Sequence, residues 1–234
     1  PFVIELPQYH VPSVKTVLLH VWERVWSFLK KAGTILFLCC MVMWFLATFG
    51  VENGAFGMVE DMEASFLAII GTFLAPIFAP LGFGSWQAVA SSLSGFVAKE
   101  GIVSTMGVLA NMAEATESDA ALWQYVMTDF FHGSALAGFT FLTFNLLDSP
   151  CLAAISTMAK EMGNKGWTAF AVIYQNVFAY AVCLMIYQLG SFAMGGGFGI
   201  GTAAAVIVLA VTLYLLFRPA PKADKKTGAV AARI

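Results

Sequence analysis

The chain has 234 residues, of which 59% are hydrophobic and only 11% are charged, with a net charge of −2. A soluble domain carries about 25% charged residues and needs polar cover over its surface, so a soluble fold of this composition is excluded. The composition predicts an all-α polytopic membrane helix bundle, and we expect no nucleic-acid partner.

The N-terminal region combines an extended segment with an amphipathic helix. Residues 1–12 contain three prolines and predict an extended segment, which we place in the cytoplasm. Apolar and basic residues then share helical spacing over 13–33, a pattern typical of a helix at a membrane interface. We expect this helix to run on into a first span at 34–50, and its simplest role is that of an anchor.

The second apolar run, residues 66–81, contains Pro76 and Pro80 four residues apart. Each proline removes a backbone donor and kinks or breaks a helix. In lipid the freed carbonyls must be covered by neighbouring protein. We therefore expect a broken or re-entrant element within the bundle, in which both prolines give structural support to any path through it.

Further apolar runs complete the predicted architecture of about six spans in one membrane domain over 13–217. These runs are residues 85–110, 130–147, 167–190 and 200–217. A short helix is predicted at 150–162, between the fourth and fifth spans. Residues 218–234 are rich in basic and small residues and predict a disordered tail near anionic lipid.

The placement of charge predicts which side of the membrane each loop faces. Six spans put all of the twelve basic residues except Lys99 on one side. The loops at 51–64 and 111–128, which are acidic and contain no Lys or Arg, then lie on the other side. By the positive-inside rule the basic side, with the tail at 218–234, is cytoplasmic.

Lys99 and Glu100 lie inside the predicted third span. A charge at the centre of a bilayer costs at least about 2.5–3.5 kcal/mol, and such residues usually face protein or water along an ion pathway. Glu100 is therefore a candidate metal ligand, with Lys99 and the hydroxyl of Ser104 as support along the path. A buried structural pair that bonds to nearby broken helices is the alternative.

The sequence LLDSPCLAAISTMAKE, residues 146–161, interrupts the apolar pattern with a second candidate site. Pro150 suits the first turn of a helix, with Asp148 or Ser149 as its N-cap. Cys151 then lies in that turn, where the positive helix end favours the thiolate, a soft metal ligand. Asp148 adds a hard oxygen ligand or only a cap, and an ordinary capped helix with an inert cysteine is the alternative.

Other polar residues in the apolar runs have weaker signals. His132, near the outer end of the fourth run, is either a metal ligand or a hydrogen-bonded interface residue, and lies too far from Asn145 to share its site. Gln175 and Asn176 are expected to form hydrogen bonds between helices. Neither a GxxxxGK[ST] phosphate loop nor an HExxH motif occurs, so we expect no enzyme activity in this chain.

Three segments together resemble the C-terminal membrane region of the ferrous iron transport protein B (FeoB) family. They are ELPQYHVPSVKTVLLHVWERVWSFLKKAGTI, GFVAKEGIVSTM and NLLDSPCLAAISTMAKEMGNKGW, and the resemblance covers essentially the whole chain. It implies the permease part of a GTPase-linked transporter that moves Fe²⁺, its substrate, across the bacterial inner membrane. Pro150 and Cys151 match the family's second Gate motif, and Lys99 and Glu100 match its lysine–glutamate segment.

The resemblance also implies partners. They are the lipid bilayer, an N-terminal GTPase domain that binds GTP and Mg²⁺ and is not expected in this chain, small cytosolic Feo accessory proteins, and further copies in a homo-oligomer. Many family members have an aromatic or small residue in place of Asp148, so no family role is carried over to it. The alternatives are a Gate-type transporter of nucleosides or small solutes, and a membrane anchor or scaffold without a pathway of its own.

Overall fold

The structure, a computed structural model, describes residues 13–52, 55–59, 62–99, 101–110 and 118–218. Within these ranges four helical stretches are long and apolar enough to cross a membrane, one of them Ala135–Met162, which joins two helices across a short break. A bent pair of helices at 66–97 would make a fifth if it counts as a single span. The prediction of an all-α polytopic helix bundle is confirmed. The predicted N-terminal segment, nearly all of the predicted tail and Glu100 lie outside the described residues.

Helix α1, Val14–Thr48, is one uninterrupted helix of 35 residues. It begins at Ser13, whose hydroxyl accepts a hydrogen bond from the backbone N–H of Thr16 at 3.3 Å. At 1.5 Å per residue it is about 52 Å long, which exceeds the roughly 30 Å of a bilayer's hydrocarbon core. The amphipathic residues therefore continue directly into the apolar ones, as the sequence predicts.

A small hairpin follows α1 and was not predicted. Strands β1, Phe49–Glu52, and β2, Ala55–Met58, pair antiparallel with Phe49 opposite Met58. The sequence does contain a signal for it, because an Asn-Gly dipeptide, here at 53–54, is a strong indicator of a two-residue hairpin loop.

The proline-containing run forms a helix that bends sharply into the next one. Helix α2, Phe66–Phe78, contains Pro76 and ends in a 3₁₀ turn, Ala79–Leu81, that contains Pro80. Helix α3, Trp86–Val97, then leaves at 97° to it. The prolines thus coincide with the broken or re-entrant element that the sequence predicts.

Carbonyls left open near the bend are covered by side chains of a later helix. The Tyr180 hydroxyl donates to the Ile77 carbonyl at 2.8 Å, and Gln188 Nε2 donates to the Pro80 carbonyl at 2.7 Å. Gly82 is also required at the bend, because its φ is +92° and a Cβ there would overlap the Tyr187 ring.

The predicted continuous span at 85–110 is wrong, because the chain breaks near its middle. Helix α3 ends at Val97, and Ala98 is extended, with φ −151° and ψ 119°. A separate helix α4 begins at Gly101 and ends at Leu109. Lys99 therefore lies in a helix break rather than on a helix face. This region, residues 66–110, is also where the span count differs from the six predicted.

The remaining helices are α5, Ala120–Tyr125, with a π-helical turn at Val126–Phe130, then α6, Ala135–Leu147; α7, Leu152–Met162; α8, Lys165–Ala193; and α9, Ile200–Phe217. Helix α8 packs against α6, α7 and α9. Four aromatic rings, those of Phe78, Phe83, Phe141 and Phe144, fill the space between the bend and α6, partly in edge-to-face contacts. This packing holds the α2–α3 bend against α6, near the second break of the bundle.

Candidate functional site

Two helix breaks meet in the bundle and are joined by an ion pair. Lys99 lies in the break between α3 and α4, and Asp148 in the break between α6 and α7. The Lys99 Nζ donates to Asp148 Oδ1 at 2.6 Å and to the Asn145 carbonyl at 2.7 Å. The Asp148 side chain is 3% exposed, whereas that of Lys99 is 38% exposed. The carboxylate is thus buried in protein, whereas part of the lysine side chain remains exposed.

The end of α6 provides a second reason for a cation at this position. The last carbonyls of a helix have no partner within it, and the C-terminal end of the helix carries partial negative charge. Lys99 binds one of these carbonyls, that of Asn145, as well as the carboxylate that follows the helix. The lysine therefore neutralises two sources of negative potential at once.

The prediction that Asp148 or Ser149 is the N-cap of the short helix after Pro150 is wrong. Helix α7 begins at Leu152, and Cys151 is its N-cap residue without a side-chain cap hydrogen bond. Pro150 lies before the helix rather than in its first turn. The physical reason is that a carboxylate paired with Lys99 is held by the other helix break, so it is not turned back toward α7.

Helix α8 holds the α6–α7 break through two amide side chains. Gln175 Nε2 donates to the Asp148 carbonyl at 3.2 Å, and Asn176 Nδ2 donates to the Ser149 hydroxyl at 3.0 Å. The predicted hydrogen bonds between helices are therefore confirmed for both residues. They pair with polar groups of the break that no helix supplies with partners, which matters in an apolar bundle.

A cavity of about 320 Å³ opens beside the ion pair. The residues that line it are Lys99, Leu146, Asp148, Pro150, Cys151 and Gln175. Cys151 is half-buried and its thiol is free. The cavity thus combines a carboxylate, a thiol and an ammonium group, contributed by two breaks that are far apart in sequence.

The described residues do not by themselves complete a metal site. No group of three or more His, Cys, Asp or Glu side chains able to hold a metal occurs among them. The structure brings Cys151, Asp148, Lys99 and Pro150 to one cavity. Glu100, the remaining predicted ligand, lies outside the described residues, so its part stays a prediction.

The other predicted residues lie elsewhere. Ser104 lines a separate cavity of about 490 Å³ with Met43, Met62, Ser65 and Thr105, among others. His132 is exposed in the turn before α6, with a φ of +50°. Pro76 and Pro80 remain at the α2–α3 bend.

One residue of the site, Asn145, was undervalued from sequence. It is 6% exposed, and its side-chain nitrogen donates to the Phe141 carbonyl at 2.8 Å and to the Ser92 hydroxyl at 3.3 Å. Its Oδ1 has no hydrogen-bond partner within the part of the chain that the structure describes. A polar residue three positions before Asp148, near the end of an apolar run, is the signal that pointed to it.

Comparison with known proteins agrees with the resemblance. Residues 29–165 match the Gate family, described as nucleoside recognition, and residues 1–24 match the ferrous iron transport protein B C terminus. Proteins named Fe(2+) transporter FeoB from Staphylococcus aureus (strain MSSA476) and Methanocaldococcus jannaschii are 38% and 33% identical, each over 81% of this chain and 27% of their own length. The protein of that name from Salmonella typhi is 28% identical over 94% of this chain and 34% of its own.

No solved structure matches the chain. The chain spans about a quarter to a third of the length of these relatives. The Gate match covers more than half of the chain, and the C-terminal match precedes it in sequence, so the two descriptions apply to one continuous membrane region. The chain therefore belongs to the ferrous iron transport protein B family, as a C-terminal membrane region that carries a Gate domain.

Proposed function

We propose that this chain is the permease part of a GTPase-linked ferrous iron transporter and moves Fe²⁺ across the bacterial inner membrane. The observation that carries the proposal is the cavity at which the α3–α4 and α6–α7 breaks meet. Interrupted helices are tolerated at membrane depth where they are buried in protein or line a cavity, and transporters use them to bind substrates. The names of the relatives supply the identity of the ion.

The ligand chemistry of this cavity suits a borderline divalent cation. Cys151 offers a soft sulfur ligand and Asp148 a hard oxygen ligand. Fe²⁺ accepts both kinds of ligand. Glu100 enters the proposed ligand set on sequence grounds alone, next to Lys99. A small ligand set also favours release, which a transport site needs as much as binding.

The proposal extends to the longer protein in which this chain would work. GTP and Mg²⁺ would act in an N-terminal GTPase domain, with small cytosolic accessory proteins as partners. The basic tail would lie on the cytoplasmic side, by the positive-inside rule. His132 and Ser104 are secondary candidates for contacts with the ion away from the Cys151 cavity.

A second candidate substrate is a nucleoside, because the matching Gate family is described as nucleoside recognition. The cavity at the two breaks contains amide and carboxylate groups that can hydrogen-bond a ribose or base. A third reading, a membrane anchor or scaffold, assigns the cavity no substrate.

Uptake of radioactive ferrous iron tests the proposal. The full-length protein is produced in cells that lack other ferrous uptake, and Cys151→Ser is compared with Cys40→Ser. Cys40 is exposed on α1 and serves as the matched control. We expect Cys151→Ser to lower uptake by about tenfold, as loss of a metal-site contact typically does, and Cys40→Ser to leave it unchanged.

Equal uptake by both variants at normal expression would contradict the assignment of the pathway and favour a scaffold. Addition of excess uridine separates the remaining alternatives. Competition by uridine, but not by other divalent cations, would favour the nucleoside reading.

A further inference from the structure

We infer that the Lys99 ammonium is a built-in competitor of the transported cation. It occupies the oxygen-lined position at the end of α6, and a divalent cation binds there only when Lys99 withdraws. This inference rests on the proposed transport function and adds to it how the site is kept occupied between transport events.

The geometry around Lys99 is that of a bound cation. Its Nζ lies 2.6 Å from a carboxylate oxygen of Asp148 and 2.7 Å from the carbonyl oxygen of Asn145. Carboxylate and carbonyl oxygens are ligands that divalent metal ions also take. The ammonium and a metal ion therefore require the same oxygens and cannot both hold them.

A further buried oxygen in the same residue lacks a partner. The Asn145 Oδ1 accepts no hydrogen bond from any residue that the structure describes, although Asn145 is 6% exposed. Buried polar atoms are normally paired, and an exception calls for a water, an ion or a functional reason. Asn145 thus offers one oxygen, its backbone carbonyl, that Lys99 uses, and a second, unpaired oxygen on the side chain that contacts Ser92 of α3.

The two members of the ion pair differ in their freedom to move. The Asp148 side chain is 3% exposed and its backbone carbonyl is held by Gln175. The Lys99 side chain is 38% exposed and borders the cavity of about 320 Å³ that Cys151 also lines. A lysine has a flexible four-carbon stem, so the ammonium can swing into the cavity while the oxygens stay in place.

This arrangement lowers the apparent affinity of the site for a metal ion. When a binding-competent state is only partly populated, the measured dissociation constant is the intrinsic one divided by that fraction. Lys99 withdrawn is the competent state, and Lys99 bound to Asp148 is the closed one. Removal of the ammonium should therefore tighten metal binding, whereas a merely structural ion pair predicts that its loss leaves binding equal or weaker.

Titration of the purified full-length protein with Co²⁺, used as the probe for Fe²⁺, tests this inference. Lys99→Met removes the charge and keeps an unbranched side chain, and Lys99→Arg keeps the charge. Lys165→Met, at the exposed start of α8, is the matched control. We expect the dissociation constant for Co²⁺ to fall by about tenfold or more in Lys99→Met. It should be unchanged in Lys165→Met, and unchanged or higher in Lys99→Arg.

An unchanged or raised dissociation constant in Lys99→Met would overturn the inference. Because that variant leaves Asp148 buried without its partner, Lys99→Gln serves as a second variant that keeps a hydrogen-bond donor without the charge. The same fall is expected for it, and the same failure would count against the inference.

A measurement on the unmodified protein gives an independent test. Reductive methylation of lysine amines, quantified by mass spectrometry, should increase at Lys99 when Co²⁺ is added and stay constant at Lys165. Constant labelling at Lys99 would overturn the inference. Failure of this inference can be distinguished from failure of the transport function. Iron uptake that depends on Cys151 would still support transport even if Lys99 proved to be a fixed structural residue.

Discussion

The broken helices and the continuous helix α8 have different roles: the broken helices form the bend and the site, and α8 donates hydrogen bonds to them. Residues 66–162 contain a sharp bend and two breaks, whereas α8 runs for 29 residues without interruption. Four polar side chains of α8 donate hydrogen bonds to the bend or to the α6–α7 break: Gln175, Asn176, Tyr180 and Gln188. Irregular backbone can exist within a membrane because a regular neighbour supplies its missing hydrogen bonds.

The largest expected effect comes from the irregular side, at the α2–α3 bend. Gly82→Ala forces a side chain into a left-handed conformation and into the Tyr187 ring on α8. Strain and overcrowding together should lower the free energy of unfolding by about 2–5 kcal/mol. Unfolding by SDS titration in mixed micelles would measure this loss.

Gly195→Ala is the matched control, since Gly195 has a φ of +95° but open space where a Cβ would lie. It should show backbone strain alone, about 1 kcal/mol. Equal losses for the two glycines would mean that contact between the bend and α8 contributes nothing.

A smaller loss in the free energy of unfolding is expected when a side chain of the continuous helix α8 is changed. Tyr180→Phe removes the hydroxyl that donates to the Ile77 carbonyl near the bend. The expected loss is about 1 kcal/mol, the usual range for a hydrogen bond between membrane helices. Tyr174→Phe on the exposed face of α8 is the control and should leave the free energy of unfolding unchanged. Equal losses for Tyr180→Phe and Tyr174→Phe in SDS titration would contradict the supporting role of α8.

The smallest effect should come from a histidine–glutamate contact outside the breaks. His20 and Glu23 lie 3.8 Å apart on α1, and both side chains are 74% exposed. Exposed pairs of this kind rarely contribute measurable stability. Glu23→Gln should therefore leave the unfolding curve and metal binding unchanged, in contrast to changes at Lys99. A clear effect would show that exposure does not explain the difference between this contact and the Lys99–Asp148 ion pair.

The sequence predicted those parts of the fold that depend on local chemistry. Helix α9 has the predicted bounds, 200–217, because its apolar run is followed by basic residues and Pro219. The bend at Pro76 and Pro80 follows from missing backbone donors. The break at Ala98 was missed because apolar residues resume directly after Lys99 and Glu100, so that both charges were placed on one helix, and no proline marks the change.

Individual residues of the candidate site could be predicted from the sequence, but their position next to one another could not. Lys99 stood out as a charge in an apolar run, and Cys151 as part of a polar interruption. Their meeting depends on an ion pair between residues 49 positions apart, which no local pattern encodes. For the same reason the role of Asp148 changed from a helix cap to the partner of Lys99.

The ion pair between the two breaks also constrains the order in which the bundle is assembled. Lys99 is synthesised before Asp148, and a charge among apolar helices is costly without a partner. The α3–α4 break therefore gains its ion pair only after α6 and the residue that follows it have been made. The two halves of this site, 49 positions apart, therefore come together only after the segments that carry both of them have been synthesised.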